Sequence, residues 1–284
     1  MSLFAELNIV IIGGTRGIGL ELCHHLAESG HNIALCGRSS NAEDVAQSLA
    51  QQYKVTAFGQ AVDATDAIGC AEFASEAANL LGGIDVLFAN AAIFGPVGTI
   101  ENIDISRWAE TINTNTLTFI NPVRAFLPYL RRSTSACILT MSGGGLGGPR
   151  PIKRASAYFA SKAATVSLIE VLAEELIHEQ ITVNAIAPGF FPTDFMREAA
   201  EVGADIAGPE LHSDASRQAD DSVVETLRQL TTLVDFLISS DAREVTGRTL
   251  SARWDTPDKI IESRVSSNLF RLRRVDNDLI REAP

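Results

Sequence analysis

Short apolar runs alternate with longer segments of helical periodicity along most of the chain. The apolar runs cover residues 8–14, 32–37, 54–60, 84–90, 136–142, 181–188 and 249–253. Helical periodicity covers residues 17–29, 42–52, 68–81, 107–130, 157–178 and 223–238. Near-continuous Val, Ile and Leu strands separated by helices indicate a parallel sheet with helices on both faces. The pattern predicts a single doubly wound α/β domain with a sheet of about seven strands.

Two segments depart from this alternation. Residues 190–222 combine three phenylalanines and several acidic residues with little periodicity. A segment of this kind is typically a lid or a disordered loop, and we expect a lid. Residues 255–284 are polar apart from a short cluster at 269–275, which either docks on another subunit or frays. The predicted organisation is a main domain over 1–254 and a C-terminal extension over 255–284.

Charge and composition argue against several classes of function. The net charge of −12 disfavours a nucleic-acid-binding surface and attraction to anionic membranes. No apolar run is long enough to cross a bilayer, and the first strand follows the N-terminus without the basic region of a signal peptide. The four cysteines form no CxxC pair, and the five histidines show no ligand spacing. We therefore expect a cytoplasmic protein with reduced thiols and no metal site.

The stretch VIIGGTRGIGLEL places several glycines between the first strand and the first helix. Small residues let the backbone turn tightly and approach a diphosphate, and the helix N-terminus offers free N–H groups to it. This position in a βαβ unit is where Rossmann-type folds bind a dinucleotide. The residues expected to form this cradle are Gly13, Thr15, Arg16, Gly17, Ile18 and Gly19.

The end of the second strand indicates which dinucleotide is bound. A carboxylate there would bind both hydroxyls of the adenosine ribose and repel a 2′-phosphate. The sequence has Arg38 and Ser39 instead. Arg is the better planar partner for a phosphate, and Arg16 in the glycine turn is placed to join it. We therefore expect NADP(H) to be preferred over NAD(H).

The stretch SAYFASKAA carries a candidate acid–base pair. Tyr158 and Lys162 lie on one face of a helix because residues i and i+4 are neighbours, and the small residues around them leave room for a flat ring. A nearby ammonium and a positively charged nicotinamide would stabilise the phenolate and lower the tyrosine pKa. Tyr158 would then exchange a proton with a carbonyl or alcohol oxygen.

The glycine spacing GxxxGxG resembles the TGxxxGIG motif of the short-chain dehydrogenase/reductase family, with Gly13 where that family usually has Thr. The resemblance runs from this turn through the YxxxK pair to VTGRTL at 245–250, and it extends to the ketoreductase and 3-oxoacyl reductase-like members. It implies a Rossmann-type oxidoreductase that transfers a hydride to or from NAD(P). It also implies a homo-oligomer, either a dimer or a tetramer.

The resemblance implies further cofactor contacts. In VDATD, Asp63 and Ala64 would lie beside the adenine ring. FANAAIFG stands where the family has NNAG, so Asn90 and Ala91 would line the nicotinamide side, although the first Asn and the Gly of that motif are missing. The stretch APGFFPT supplies the residues that would close over the nicotinamide and its phosphates, namely Pro188, Gly189 and Thr193.

The family's active site adds a serine and an asparagine to the YxxxK pair. Ser142 at the end of the fifth strand would hydrogen-bond the substrate oxygen, and Ser156 is its rival. Asn115 matches the helix asparagine that holds a water linking Lys162 to solvent, with Asn113 as the neighbouring alternative. The predicted catalytic set is therefore Asn115, Ser142, Tyr158 and Lys162.

We expect an NADPH-dependent, reversible reductase of a ketone or aldehyde. The predicted pocket is bordered by the lid and by Phe94, Leu146, Phe159 and Phe191, which suggests a partly apolar small-molecule substrate. Two alternatives stay open at this point. One is a nucleotide-binding regulatory protein that has the fold without turnover. The other is a sugar-nucleotide epimerase or dehydratase, since those enzymes share YxxxK.

Overall fold

The computed structural model describes residues 6–143, 146, 152–217, 221–263 and 271. Within these residues, seven parallel strands form one sheet in the order β3-β2-β1-β4-β5-β6-β7. The strands are β1 Asn8–Ile12, β2 Asn32–Gly37, β3 Ala57–Ala61, β4 Val86–Ala89, β5 Cys137–Met141, β6 Thr182–Ala187 and β7 Arg248–Ser251. The predicted doubly wound parallel sheet is confirmed. Its order reverses between β1 and β4, and such a switch point is where open α/β sheets bind ligands.

Helices cover both faces of the sheet, as the sequence predicts. They are α1 Gly17–Glu28, α2 Ala42–Tyr53, α3 Ala67–Leu81, α4 Ile105–Leu130, α5 Ser156–Leu176, α6 Asp194–Glu201, α7 Ala204–Ala207, α8 Pro209–Ala215, α9 Asp221–Ile238 and α10 Pro257–Glu262. Asp66 starts α3 by accepting from Ile68 N, and Asp104 starts α4 by accepting from Ser106 N. These carboxylates satisfy N–H groups that have no partner inside the helix.

The alternation of side chains along β1 divides the core into two halves. Ile9 and Ile11 belong to one buried cluster, with helix residues such as Leu22 of α1. Val10 and Ile12 belong to the other, with residues such as Phe73 of α3. Because successive strand residues point to opposite faces, a central strand must be apolar at every position to serve both halves. This explains the continuous apolar runs.

The segment 190–222 departs from the irregular loop that its weak periodicity suggested. It contains the short helices α6, α7 and α8, and α9 begins at Asp221 instead of near Val223. Ala207 and Leu211 in this segment join a third buried cluster with Phe94 and Ala155. Helices of one or two turns are too short to show a clear period, so tertiary packing determines them and the sequence pattern does not.

The extension after Asp255 also carries structure. Helix α10 lies within it, and its Ile260 is buried in the main core. Arg271 Nη1 lies 3.4 Å from Glu174 Oε1 on α5. The rest of the predicted cluster at 269–275 lies outside the described residues, so the division at 254 stays a prediction. Among the helices of the described residues, none combines the length and apolar character that a membrane span requires.

Candidate active site

The glycine turn between β1 and α1 is closed by its own backbone. Gly13 N and Gly14 N both donate to Cys36 O, at 2.8 and 3.0 Å. Gly13 has a φ of +81°, in the left-handed region that favours glycine. A Cβ atom on Gly19 would lie 2.1 Å from Gly13 O. Residues with side chains do not fit at these two positions, so the turn leaves bare backbone at the carboxyl edge of the sheet.

Three other strand ends meet this turn. Asn90 Nδ2, after β4, donates to Gly13 O at 3.2 Å. A Cβ atom built on Gly13 would lie 3.0 Å from Ala91 Cα. A Cβ atom built on Gly17 would lie 3.3 Å from the Thr193 methyl group. Thr15 lies over Gly37 at the end of β2. The structure therefore brings the predicted glycine turn, Asn90, Ala91 and Thr193 together at one edge.

The residues predicted for the adenosine end follow β2 and β3. Arg38 and Ser39 are exposed, and Ser39 Oγ donates to Asn41 Oδ1. Hydrogen bonds from Thr65 N and Oγ1 lower the pKa of Asp63, and the nearby Arg38 charge lowers it further. Arg38, which we expect to select NADP(H), therefore lies close to Asp63, which we expect beside the adenine ring.

A buried polar stripe on α4 fixes the loops at the same edge. Asn115 Oδ1 accepts from Ile93 N at 2.8 Å. Thr118 Oγ1 donates to Ala91 O at 2.9 Å. Asn121 Nδ2 donates to Ala64 O and Thr65 O, at 3.3 and 2.9 Å. Sequence reasoning singled out Asn115 but missed the spacing of three residues that places Thr118 and Asn121 on the same helix face.

The side chain of Asn115 is committed to the protein. Its Nδ2 donates to Ile93 O at 2.9 Å and to Ser161 Oγ at 2.8 Å, which joins the loop after β4 to α5. Both amide N–H donors are used, so the side chain positions backbone. A water that leads to Lys162 would have to donate to the remaining lone pair of Oδ1 or bind the backbone of α4. The rival Asn113 is exposed on the opposite side of α4.

Lys162 is buried beside the end of β5. Its Nζ donates to Met141 O at 2.9 Å and lies 5.7 Å from the centre of the Tyr158 ring. Burial lowers the pKa of Lys162 to about 8. An ammonium has three N–H donors, and among the described residues Met141 O accepts from one of them. The remaining donors are suited to the hydroxyl groups of a bound ligand.

Burial raises the pKa of Tyr158 above its ordinary value. In the chain without a ligand, the ammonium is engaged with Met141 O, and the loss of water around the phenol is the larger effect. The lowering that we expect requires a bound, positively charged nicotinamide as well as Lys162, so for the complex it stays a prediction.

The two candidate serines differ in their partners. Ser142 Oγ is buried and has no hydrogen-bond partner among the described residues. Ser156 Oγ accepts from Trp108 Nε1 at 3.1 Å and is occupied in joining α4 to α5. A buried hydroxyl without a partner is costly, so Ser142 is the serine whose environment calls for a ligand. The unpaired hydroxyl of Ser142 is suited to a carbonyl oxygen, and the remaining N–H donors of Lys162 are suited to the hydroxyls of a ribose.

Aromatic rings surround Tyr158. Phe94 stacks on it with ring centres 5.1 Å apart, and Phe159 and Phe195 meet it edge-on at 5.3 and 5.2 Å. Phe195, in the first turn of α6, was missed as a pocket residue, although its place two residues after Thr193 was a usable signal. Phe191 lies in the main core instead of beside Tyr158. This corrects its predicted place in the pocket.

Three more predicted residues lie in loops near this edge. Leu146 N donates to Gly143 O at 3.1 Å in the turn after β5. Pro188 is buried after β6, and Gly189 follows it with a φ of +88°. A Cβ atom on Gly189 would lie 2.8 Å from the Thr226 methyl group, so this bend requires glycine. The bend directs the chain back toward Thr193 and the glycine turn.

A family model described as short chain dehydrogenase matches residues 7–203 of the 284. The chain belongs to the short-chain dehydrogenase family. It is accordingly an NAD(P)-dependent oxidoreductase that acts on carbonyl and CH–OH groups. The two alternatives, a regulatory protein without turnover and a sugar-nucleotide epimerase, are not favoured.

Relatives across most of the chain agree with this membership. The 3-oxoacyl-[acyl-carrier-protein] reductase FabG of Staphylococcus aureus is 29% identical over 247 residues, which cover 86% of this chain and 95% of that protein. The solved Pseudomonas aeruginosa RhlG/NADP active-site complex is 26% identical, with a TM-score of 0.72 over 88% of this chain and 95% of that one. An NADPH-bound short chain oxidoreductase from Pseudomonas aeruginosa PAO1 is 25% identical, with a TM-score of 0.70 over 87% and 96%.

The burial of the Lys162 ammonium leads to a prediction about the stability of the dehydrogenase without a ligand. Lys162→Met is expected to be more stable than the wild type at pH 7, with an advantage that shrinks as the pH rises from 8 to 10.5. The lysine pKa is 10.5 in the unfolded chain and about 8 in the folded one. The unfolded chain therefore binds more protons in this window, and the wild type gains up to about 1.4 kcal/mol per pH unit.

Urea unfolding of both proteins at pH 7 and pH 10 measures this effect. Subtracting one protein from the other cancels the ionisation of cysteines and tyrosines that they share. Lys153→Met, at an exposed position, is the control and should show no such trend. A stability difference between Lys162→Met and the wild type that is the same at both pH values would contradict the prediction.

Proposed function

We propose that this dehydrogenase uses NADP(H) in preference to NAD(H) to interconvert a partly apolar ketone or aldehyde and its alcohol. The observation that carries the proposal is the pairing of a buried Lys162 ammonium that has spare donors with the orphan hydroxyl of Ser142. Both lie at the carboxyl edge of the sheet: Lys162 Nζ donates to Met141 O, and Ser142 directly follows Met141 in the chain. Their unmet hydrogen-bonding capacity fits a ribose and a carbonyl oxygen.

Several residues of this edge are suited to hold the cofactor. The bare backbone of the glycine turn and the N-terminus of α1 would hold the diphosphate, next to Thr193. Asn90 and Ala91 would line the nicotinamide side, and Lys162 Nζ would hold the nicotinamide ribose. A bound nicotinamide supplies or accepts the hydride that the reaction needs.

The protein then controls the proton and the oxygen charge. In the reducing direction, the phenol of Tyr158 donates its proton to the carbonyl oxygen while Ser142 Oγ–H stabilises the charge that develops there. The high pKa of the buried phenol keeps it protonated before the reaction. In the oxidising direction, the phenolate of Tyr158 would accept the proton of the alcohol, and the positive charges of Lys162 and of an oxidised nicotinamide would stabilise that phenolate beforehand. Asn115 positions the loop after β4 for both steps.

The preference for NADP(H) rests on Arg38. It is exposed at the end of β2, where an NAD(H)-selective site would carry a carboxylate. Arg16 lies in the adjacent turn. A planar guanidinium is suited to a bidentate contact with a 2′-phosphate. Relatives solved with NADP or NADPH bound are consistent with this choice.

The surroundings of Tyr158 indicate the substrate class. Phe94, Phe159 and Phe195 present apolar surface next to the phenol, which suits a carbonyl carried on an apolar body. One related protein acts on 3-oxoacyl groups, so 3-oxoacyl thioesters belong in the first assay panel with aromatic ketones. An acidic carrier protein would need a basic docking surface, for which the sequence offers the cluster Arg124, Arg131 and Arg132. Arg131 Nε pairs with Glu179 Oε2 at 2.6 Å, which disfavours docking there.

Assembly and location stay predictions. The family resemblance leads us to expect a homo-oligomer, a dimer or a tetramer, located in the cytoplasm. Sedimentation analysis of the purified chain measures the oligomeric state.

Tyr158→Phe is expected to lower kcat for carbonyl reduction by at least about 10³-fold, because the variant has no proton to donate. Cofactor affinity should stay within a few-fold of the wild type, since the ring and its packing remain. Steady-state assays with the ketone panel and NADPH fluorescence titrations measure the two quantities. Tyr129→Phe, at the far end of α4, is the control for loss of a tyrosine hydroxyl. Substantial turnover in Tyr158→Phe would refute the assigned role.

Arg38→Asp is expected to weaken NADPH binding by about 100-fold and to leave NADH binding equal or stronger. The new carboxylate repels a 2′-phosphate and accepts from ribose hydroxyls. Titration of both cofactors against wild type and variant measures the change in preference. Arg132→Asp makes the same charge change at the amino edge of the sheet and should alter neither affinity. An unchanged NADPH preference in Arg38→Asp would overturn the proposed cofactor selectivity.

A further inference from the structure

Arg154 lies in an unusual backbone conformation just before the catalytic helix α5. Its φ is +66°, in the left-handed region that side-chain-bearing residues rarely adopt. Lys54 and Gln180 also have positive φ, but each of them ends a helix, where this conformation is common. Arg154 ends no helix. A strained residue at this place requires another reason for its position.

The side chain of Arg154 supplies that reason. Its Nη1 donates to Asp205 O at 2.6 Å and to Ile206 O at 2.7 Å. Both carbonyls belong to the single turn of α7, where the last carbonyl groups of a helix lack internal partners. A cation at this end is also favourable because the carbonyl dipoles point toward it. The guanidinium therefore binds the lid segment directly.

Two glycines lie next to Arg154 and its contact with α7. Gly208, directly after α7, has a φ of +78°, and a Cβ atom there would lie 3.3 Å from Arg154 Nε. Gly98 N, in the loop after β4, donates to Arg154 O at 2.9 Å. Arg154 thus joins the loop after β4, the start of α5 and the lid helices.

The lid that Arg154 holds forms part of the wall around Tyr158. Phe195 of α6 meets both Tyr158 and Phe94 edge-on, with ring centres 5.2 and 5.1 Å apart. Ala207 and Leu211, on either side of Gly208, are buried in the same cluster as Phe94. Fixing α7 therefore fixes the apolar surface against which a substrate would lie.

We propose that Arg154 is a positioning residue that latches the lid helices α6 to α8 over Tyr158. The proposal rests on the proposed function insofar as it concerns substrate. Loss of the latch shifts the lid toward open arrangements, and a substrate must then close it at the expense of its own binding energy. The latch therefore acts on substrate affinity and leaves the chemical step to the residues already described.

Arg154→Gly is the decisive variant because glycine adopts the left-handed conformation without strain and keeps the carbonyl that accepts from Gly98 N. KM for a reduced ketone is expected to rise about tenfold, with kcat retained. The unfolding midpoint should change little, because relief of the strain at φ +66° offsets much of the loss of the two hydrogen bonds. Lys153→Gly, which removes the neighbouring exposed cation, is the matched control and should leave KM unchanged. KM of Arg154→Lys, whose ammonium is a single nitrogen donor, should lie between the KM values of the wild type and Arg154→Gly.

A second measurement needs no substrate. The amides of Ala207 and Gly208, which donate to Gly203 O and Ala204 O, should exchange with deuterated water faster in Arg154→Gly than in the wild type. Their exchange in Lys153→Gly should match the wild type. This readout tests the latch even if the proposed function fails and the wild type reduces none of the ketones.

The outcomes separate a latch from a general structural role. A raised KM with retained kcat and faster lid exchange supports the proposal. A parallel fall in kcat and in the unfolding midpoint, with KM unchanged, would show that Arg154 only stabilises the fold and would overturn it. Unchanged lid exchange in Arg154→Gly would overturn it as well.

Discussion

The Lys162 ammonium, buried against one backbone carbonyl, is the constraint on which the site depends. Removing an ammonium from water is costly, and among the described residues Met141 O provides the hydrogen bond that holds it. That contact requires the end of β5 to lie against the first turns of α5. The cost of burial is tolerated because the remaining donors serve a ligand.

The rigid and the movable sides of the site are built differently. On one side, the polar stripe of Asn115, Thr118 and Asn121 ties α4 to the backbone of the loops after β3 and β4. Directional hydrogen bonds of this kind fix positions closely. On the other side, the lid contacts Tyr158 through aromatic rings, and Arg154 holds it through bonds to Asp205 O and Ile206 O. A hydrogen-bonded cradle for a cofactor thus faces an apolar wall that the proposed latch keeps in place.

The sequence predicted the sheet and the glycine turn well because both depend on local signals. Buried parallel strands need continuous apolar runs, and the turn needs glycine for backbone reasons that the structure repeats at Gly13 and Gly19. Burial and tertiary packing decide what was missed. The pKa of Tyr158, the third cluster around Phe94 and the place of Phe191 in the core all depend on contacts between distant segments. The sequence already favoured Ser142 over Ser156, and the contact of Ser156 with Trp108 is consistent with that choice.

An experimental structure of the chain with NADP⁺ bound tests the role of Lys162 directly. Lys162 Nζ is expected to keep its bond to Met141 O and to lie within about 3 Å of the nicotinamide ribose hydroxyls. Ser142 Oγ and the Tyr158 hydroxyl should both face the nicotinamide ring. A dinucleotide bound elsewhere, or a Lys162 Nζ without contact to the ribose, would contradict the role assigned to Lys162.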